Sequence, residues 1–138
     1  MRLWIALPIM LAMTQAAVAQ RAANMDLRTC PPGDPLCDSM RAQFAREYPL
    51  AWKGNYEAQR NVAFCFTTGC DGAVRRDPIL GCALRFVILY SGSSKVDPSD
   101  TMNTHSCERM LTGIELAAAK TRAKVIFESI YGTRALRR

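Results

Sequence analysis

Apolar residues recur at three- and four-residue steps along most of the chain and nowhere alternate with period two over a useful length, so the pattern predicts helices and no sheet. Met40, Phe44 and Tyr48 fall on one side of a short amphipathic helix over residues 38–48, which Pro49 is expected to stop. Ala58, Val62, Ala63 and Phe66 mark a second helix that breaks at Gly69. Asp77-Pro78 places a capping side chain before a proline at the first helical position, a strong start signal for a helix to Tyr90, with Ser91-Gly92 closing it. Arg85 is the only charge on that helix, so it should lie between two others. Asp97-Pro98, with Asp100 in the first turn, opens a more polar helix to about Met110. Thr112 and Glu115 then form a capping box for a last helix that Gly132 ends after Tyr131. Its inner face is Leu116, Ala119, Ala123, Phe127 and Ile130. The fold class is all-α, about five helices joined as antiparallel hairpins.

The ends of the chain read differently. Arg2 followed by the apolar run Leu3 to Met13 and the small-x-small triplet Ala17-Val18-Ala19 has the form of a secretory signal over residues 1–19, with cleavage before Gln20. The run is short of the roughly 20 apolar residues a membrane span needs. Residues 20–37 form a Pro-rich arm in which Pro31, Pro32, Gly33 and Pro35 argue against a helix. A helical domain is expected over residues 38–132 and a basic tail over 133–138. The protein is thus expected to be periplasmic or secreted.

Export changes the meaning of the six cysteines. In an oxidising compartment an even count implies bridges rather than metal ligands or nucleophiles, and no C-x-x-C occurs. Cys82 and Cys107 are equidistant from the connection near Ser94 and Lys95, which sets them at one height on facing helices. A local map then pairs Cys30 with Cys37, Cys65 with Cys70, and Cys82 with Cys107. A rival map pairs Cys65 with Cys82 and Cys70 with Cys107.

The segment A-Q-R-N-V-A-F-C-F-T-T-G at 58–69, followed by G-A-V-R-R-D at 72–77 and by Gly92, resembles a Sel-one-like repeat, a tetratricopeptide-related α/α hairpin. The matching positions are Ala58, Gln59, Asn61, Ala63, Gly69, Gly72, Val74, Asp77 and Gly92. Two extra residues around Cys70 and Asp71, and a second helix without the usual Ala-rich face, depart from the pattern. The resemblance implies a repeat-like scaffold that binds proteins and carries no catalytic residue. Residues 98–131 would be a degenerate second hairpin.

The formal charge is +6, from 18 Lys and Arg against 12 Asp and Glu. The excess gathers in residues 113–138, where Lys120, Arg122, Lys124, Arg134, Arg137 and Arg138 face only Glu115 and Glu128. Such a face suits an acidic protein or, weakly, an anionic envelope surface. Nothing interleaves aromatic and basic residues as a nucleic-acid site does. A single histidine, His105, leaves no partner for a two-imidazole metal site, and no cofactor motif is present. His105 with Glu108 reads as a surface pair, and Arg75-Arg76 as exposed turn residues rather than an anion grip. The binding candidates are His105, Arg109, Lys120, Arg122 and Lys124. These features point to a non-catalytic module that binds a protein partner in the cell envelope, with a small secreted effector or enzyme inhibitor as the alternative.

Overall fold

The computed structural model describes residues 22–132, so the signal segment 1–19, its cleavage point and the basic tail 133–138 lie outside the described residues. After a short helical segment at residues 22–26, five longer helices follow among the described residues: α1 (Pro35–Ala51), α2 (Tyr56–Thr68), α3 (Pro78–Tyr90), α4 (Pro98–Met110) and α5 (Gly113–Tyr131). The starts follow the capping chemistry. The Asp77 carboxylate accepts from the Leu80 amide at 2.9 Å, and the Asp97/Asp100 and Thr112/Glu115 pairs each form a reciprocal capping box.

The first helix departs from expectation at both ends. It begins at Pro35 rather than Asp38, with Asp34 capping the Cys37 amide at 3.0 Å. Proline is suited to the first turn because its missing N–H would have had no intrahelical acceptor there. It also runs through Pro49 to Ala51. That proline interrupts the ladder only within the last turn, and buried Tyr48 and Ala51 hold the turn against the core. Nor is the arm wholly irregular. Residues 22–26 are helical and Leu27 bridges Val74, with the Arg28 amide donating to the Ala73 carbonyl at 2.9 Å and the Arg75 amide to the Asp26 carbonyl at 2.7 Å.

Helix α3 is the axis of the molecule. It packs against α2 on one side and against α4 and α5 on the others. One cluster, containing Phe44, Tyr48, Val62, Phe66, Val74 and Leu84, fills the space between α1, α2 and α3. A second, containing Ala83, Phe86, Val87, Ala119, Ala123 and Phe127, seals α5 onto α3. An axis walled on several sides must be apolar nearly all round, as its sequence is.

The last two helices are joined by Leu111 and Thr112 alone, and each packs chiefly on α3 rather than on the other. The start of α5 lies beside Ile79 and its later turns beside Phe86 and Tyr90, so α5 runs alongside α3 in the same direction. Residues 98–131 therefore do not close on themselves as a second hairpin.

The cysteines pair as Cys30–Cys37, Cys65–Cys70 and Cys82–Cys107, with Cα separations of 5.7, 4.7 and 5.7 Å. The first ties the arm to α1, the second closes the α2 terminus, and the third staples α3 to α4. Helix α5 carries no bridge. Between α2 and α3 the chain makes a left-handed turn in which Gly69, Cys70, Asp71 and Gly72 all have positive φ. Glycine takes that conformation freely; Cys70 and Asp71 do not, and the Cys65–Cys70 bond helps hold them there.

Candidate functional site

The basic candidates on the last helix separate once the helix is placed. Residues 119, 123 and 127 face α3, which puts Lys120 and Lys124 on one flank and Arg122 on the other. Arg122 reaches the Asp77 carboxylate at 3.1 Å and is committed to it. Lys120 and Lys124 form no ion pair with any described residue. Lys120 instead sets its ammonium 5.5 Å from the centre of the Phe86 ring, a cation–π contact.

The flank holding those lysines is a groove. Phe86, Tyr90, Ala123 and Phe127 line it with Lys120 and Lys124, around a volume of about 210 Å³. Phe86 and Tyr90, one turn apart on α3, stack nearly parallel at 13° with ring centres 6.3 Å apart. Phe86 is buried, whereas Tyr90 is 61% exposed, so one aromatic wall continues from the core to solvent. Ala123 contributes only a methyl group to this lining. The arrangement can hold an apolar side chain between rings and meet negative charge at its rim.

His105 and Arg109 are not brought to this groove. Both stand exposed on α4, His105 against Glu108 at 3.1 Å and Arg109 donating to Ser106 at 3.1 Å. The arginines of the α2–α3 turn are also engaged. Arg75 pairs with Asp26 at 2.8 Å, and Arg76 donates to the Thr67 carbonyl at 3.1 Å. A cleft of about 420 Å³ beside them contains Asp77 and Glu115 as well, so its charges are mixed. No group of three or more metal-binding side chains occurs among the described residues.

The structure adds a buried polar cluster where α2, α3 and α4 meet. Asp100 is only 1% exposed. One of its oxygens accepts from the Tyr56 hydroxyl at 2.7 Å and from the Asp97 amide at 3.1 Å. Its other oxygen has no hydrogen-bond donor and lies 3.5 Å from Arg60 Nε. Arg60 also donates to Tyr56 at 3.1 Å and to Ser99 at 2.7 Å. Burial, then the Asp100 carboxylate, pushes the Tyr56 phenol up to about 12. Arg85, 8% exposed, is lowered from the ordinary arginine value, first by burial and then by Arg60, with Asp100 opposing both. For Arg60, burial lowers the value, but Asp100, Tyr56 and Asp97 outweigh it and leave it raised.

Sequence reasoning missed this cluster and the aromatic wall of the groove. The usable signals were an isolated Arg85 on an otherwise apolar helix, and Phe86 and Tyr90 spaced one turn apart at that helix's end. In comparison with known proteins, no family model, curated protein or solved structure matches the chain. The resemblance to a Sel-one-like repeat therefore rests on the residues of the 58–92 segment alone. Within it, Gln59 is buried, donating to the Ala51 carbonyl at 3.2 Å and meeting the Tyr131 hydroxyl of α5.

Proposed function

We propose that this protein is an exported, non-catalytic helical-repeat-like module that mediates a protein–protein interaction in the cell envelope, using the α3–α5 groove. One observation carries the reading: Lys120 and Lys124 flank a solvent-open aromatic wall and have no acidic partner among the described residues. Both lysines are exposed, so an anionic partner can reach their ammonium groups while its apolar side chain covers the neighbouring ring surface. Size favours a macromolecular partner over a small ligand. Pockets for small molecules and cofactors span roughly 300–1,000 Å³, and about 210 Å³ is room for a side chain. Three disulfides fit a protein that works in an oxidising compartment, and no helix among the described residues is long and apolar enough to cross a membrane.

The reading is tested by affinity capture from extracts of the producing cells, with the oxidised full chain as bait. Reversal of Lys120 and Lys124 to Glu should abolish the capture of specific proteins, and capture by the wild type should weaken as salt rises. Identical capture by both baits at every salt concentration would defeat it.

A further inference from the structure

We infer that the α3–α5 groove takes an acidic peptide segment, in which two carboxylates about one helical turn apart flank an aromatic or branched apolar side chain. The inference rests on the proposed binding role and specifies the chemistry of its occupant. Lys120 and Lys124 are four residues apart on one helix, so their stems rise about 6 Å relative to each other along its axis. A partner meets both ammonium groups with acids at i and i+4 of a helix, or at i and i+2 of an extended strand, where the repeat is about 6.6–6.8 Å. Glu128 stands one turn beyond Lys124, which limits the basic rim to the Lys120–Lys124 stretch.

The apolar half of the requirement comes from the floor. Ala123 offers only a methyl group to the lining beside Phe86 and Phe127, and Tyr90 is its exposed ring. A leucine, isoleucine or phenylalanine entering there would pack on the exposed Tyr90 ring and the lysine stems above Phe86 and Phe127, the kind of pocketed anchor that dominates interface energetics. The shape also decides against a bilayer. Lipid binding calls for a projecting apolar face, whereas this surface is a slot between two helices. None of the described acids forms an ion pair with Lys120 or Lys124 within the fold.

A random peptide library displayed on phage and selected on the immobilised, oxidised full chain tests the inference. The expected outcome is enrichment of peptides carrying paired Asp or Glu beside an aromatic or branched apolar residue. One such peptide should then shift the amide resonances of Tyr90, Lys120 and Lys124 in a two-dimensional NMR titration. Lys120→Glu/Lys124→Glu should weaken that peptide by about tenfold or more, since like charges then oppose. The same selection on the reversed protein should enrich basic peptides. Tyr90→Ala, at an exposed position, should weaken binding while the protein stays folded. Neutral or basic peptides selected by the wild type, no enrichment at all, or resonance shifts confined to the α4 surface around His105 would each overturn the inference. So would saturable binding to phosphatidylglycerol vesicles through the same resonances with no peptide selected. If any of these occurs while affinity capture still depends on Lys120 and Lys124, the occupant is wrong and the binding role stands. If capture is the same with and without the charge reversal, both fall.

Discussion

Replacing Asp100 by Asn should be among the most damaging single changes to this fold, and replacing Arg85 by Met among the mildest for a buried charge. Asp100 lies 3.5 Å from Arg60 Nε and is the carboxylate whose charge acts on the buried Arg85. Asparagine keeps an oxygen to accept from Tyr56 and from the Asp97 amide, so the substitution chiefly removes charge. Breaking a buried ion pair by deleting one partner costs about 3–5 kcal/mol. The retained hydrogen bonds and the partial exposure of Arg60 place the expected loss near the lower end, about 3 kcal/mol. Arg85 is opposite in kind. No hydrogen bond from its guanidinium is resolved, and burial has already depressed its basicity, so exchanging it for an apolar side chain of similar length should change stability by about 1 kcal/mol or less. In the Asp100→Asn background Arg85 faces only the repulsion of Arg60, and Arg85→Met should then be clearly stabilising. Urea unfolding with the disulfides intact, followed by far-ultraviolet circular dichroism, measures all four corners of this cycle. With a slope of about 1–3 kcal/mol per molar urea, the Asp100→Asn midpoint should fall by about 1–3 M. An Asp100→Asn midpoint within experimental error of wild type, or Arg85→Met as costly as Asp100→Asn, would refute the reasoning.

Other outcomes follow from the packing. An ideal Cβ on Gly81 would lie 2.7 Å from the Thr67 methyl and 3.0 Å from the Ala63 carbonyl, so Gly81→Ala should destabilise by about 1–3 kcal/mol in the same assay by forcing α2 and α3 apart. The Tyr56 phenol is raised in the folded state, so its contribution is complete below the ordinary tyrosine value near 10 and is lost as pH rises through about 12. Spectrophotometric titration should show one tyrosine ionising near 12 that Tyr56→Phe removes; a full set titrating near 10 would contradict the buried hydrogen bond to Asp100. Removing the Cys82–Cys107 bond by a double Cys→Ala change should cost about 3–4 kcal/mol on the chain-entropy account, and more than removing Cys65–Cys70, which closes a shorter loop.

Helix starts were legible because they depend on local chemistry. Asp77-Pro78, Asp97-Pro98 and Thr112 with Glu115 each satisfy exposed amide groups with side chains a few residues away, and no tertiary contact need be known. Cys30–Cys37 and Cys65–Cys70 were legible because they close short loops, and Cys82–Cys107 because the two cysteines are equidistant from the α3–α4 connection. Pro35 and Pro49 misled because a proline's effect depends on where in a helix it falls, and both sit within a terminal turn. Gly81 escaped notice because a helical glycine signals close approach only when the opposite surface, here Thr67 and Ala63, is known. Periodicity identified the inner face of α5, with Ala119, Ala123 and Phe127, but a face does not name its partner. That this face meets α3 in parallel, rather than α4 as a hairpin, is a tertiary outcome, and it is what forms the groove from Phe86, Tyr90, Lys120 and Lys124. Arg122 shows the same limit: adjacent in sequence to the groove cations, it turns to the other flank and pairs with Asp77.

The central claim, that this groove is where the protein meets its partner, is tested most directly by photo-crosslinking in the cells that make it. A photoreactive residue placed at position 90, at the open end of the groove, should form a covalent adduct with a distinct protein, and the adduct should disappear when Lys120 and Lys124 are reversed to Glu. The same probe at position 105, on the exposed face of α4, should form no such adduct. Adducts of equal yield from both positions, or an adduct from position 90 that survives the charge reversal, would contradict the account.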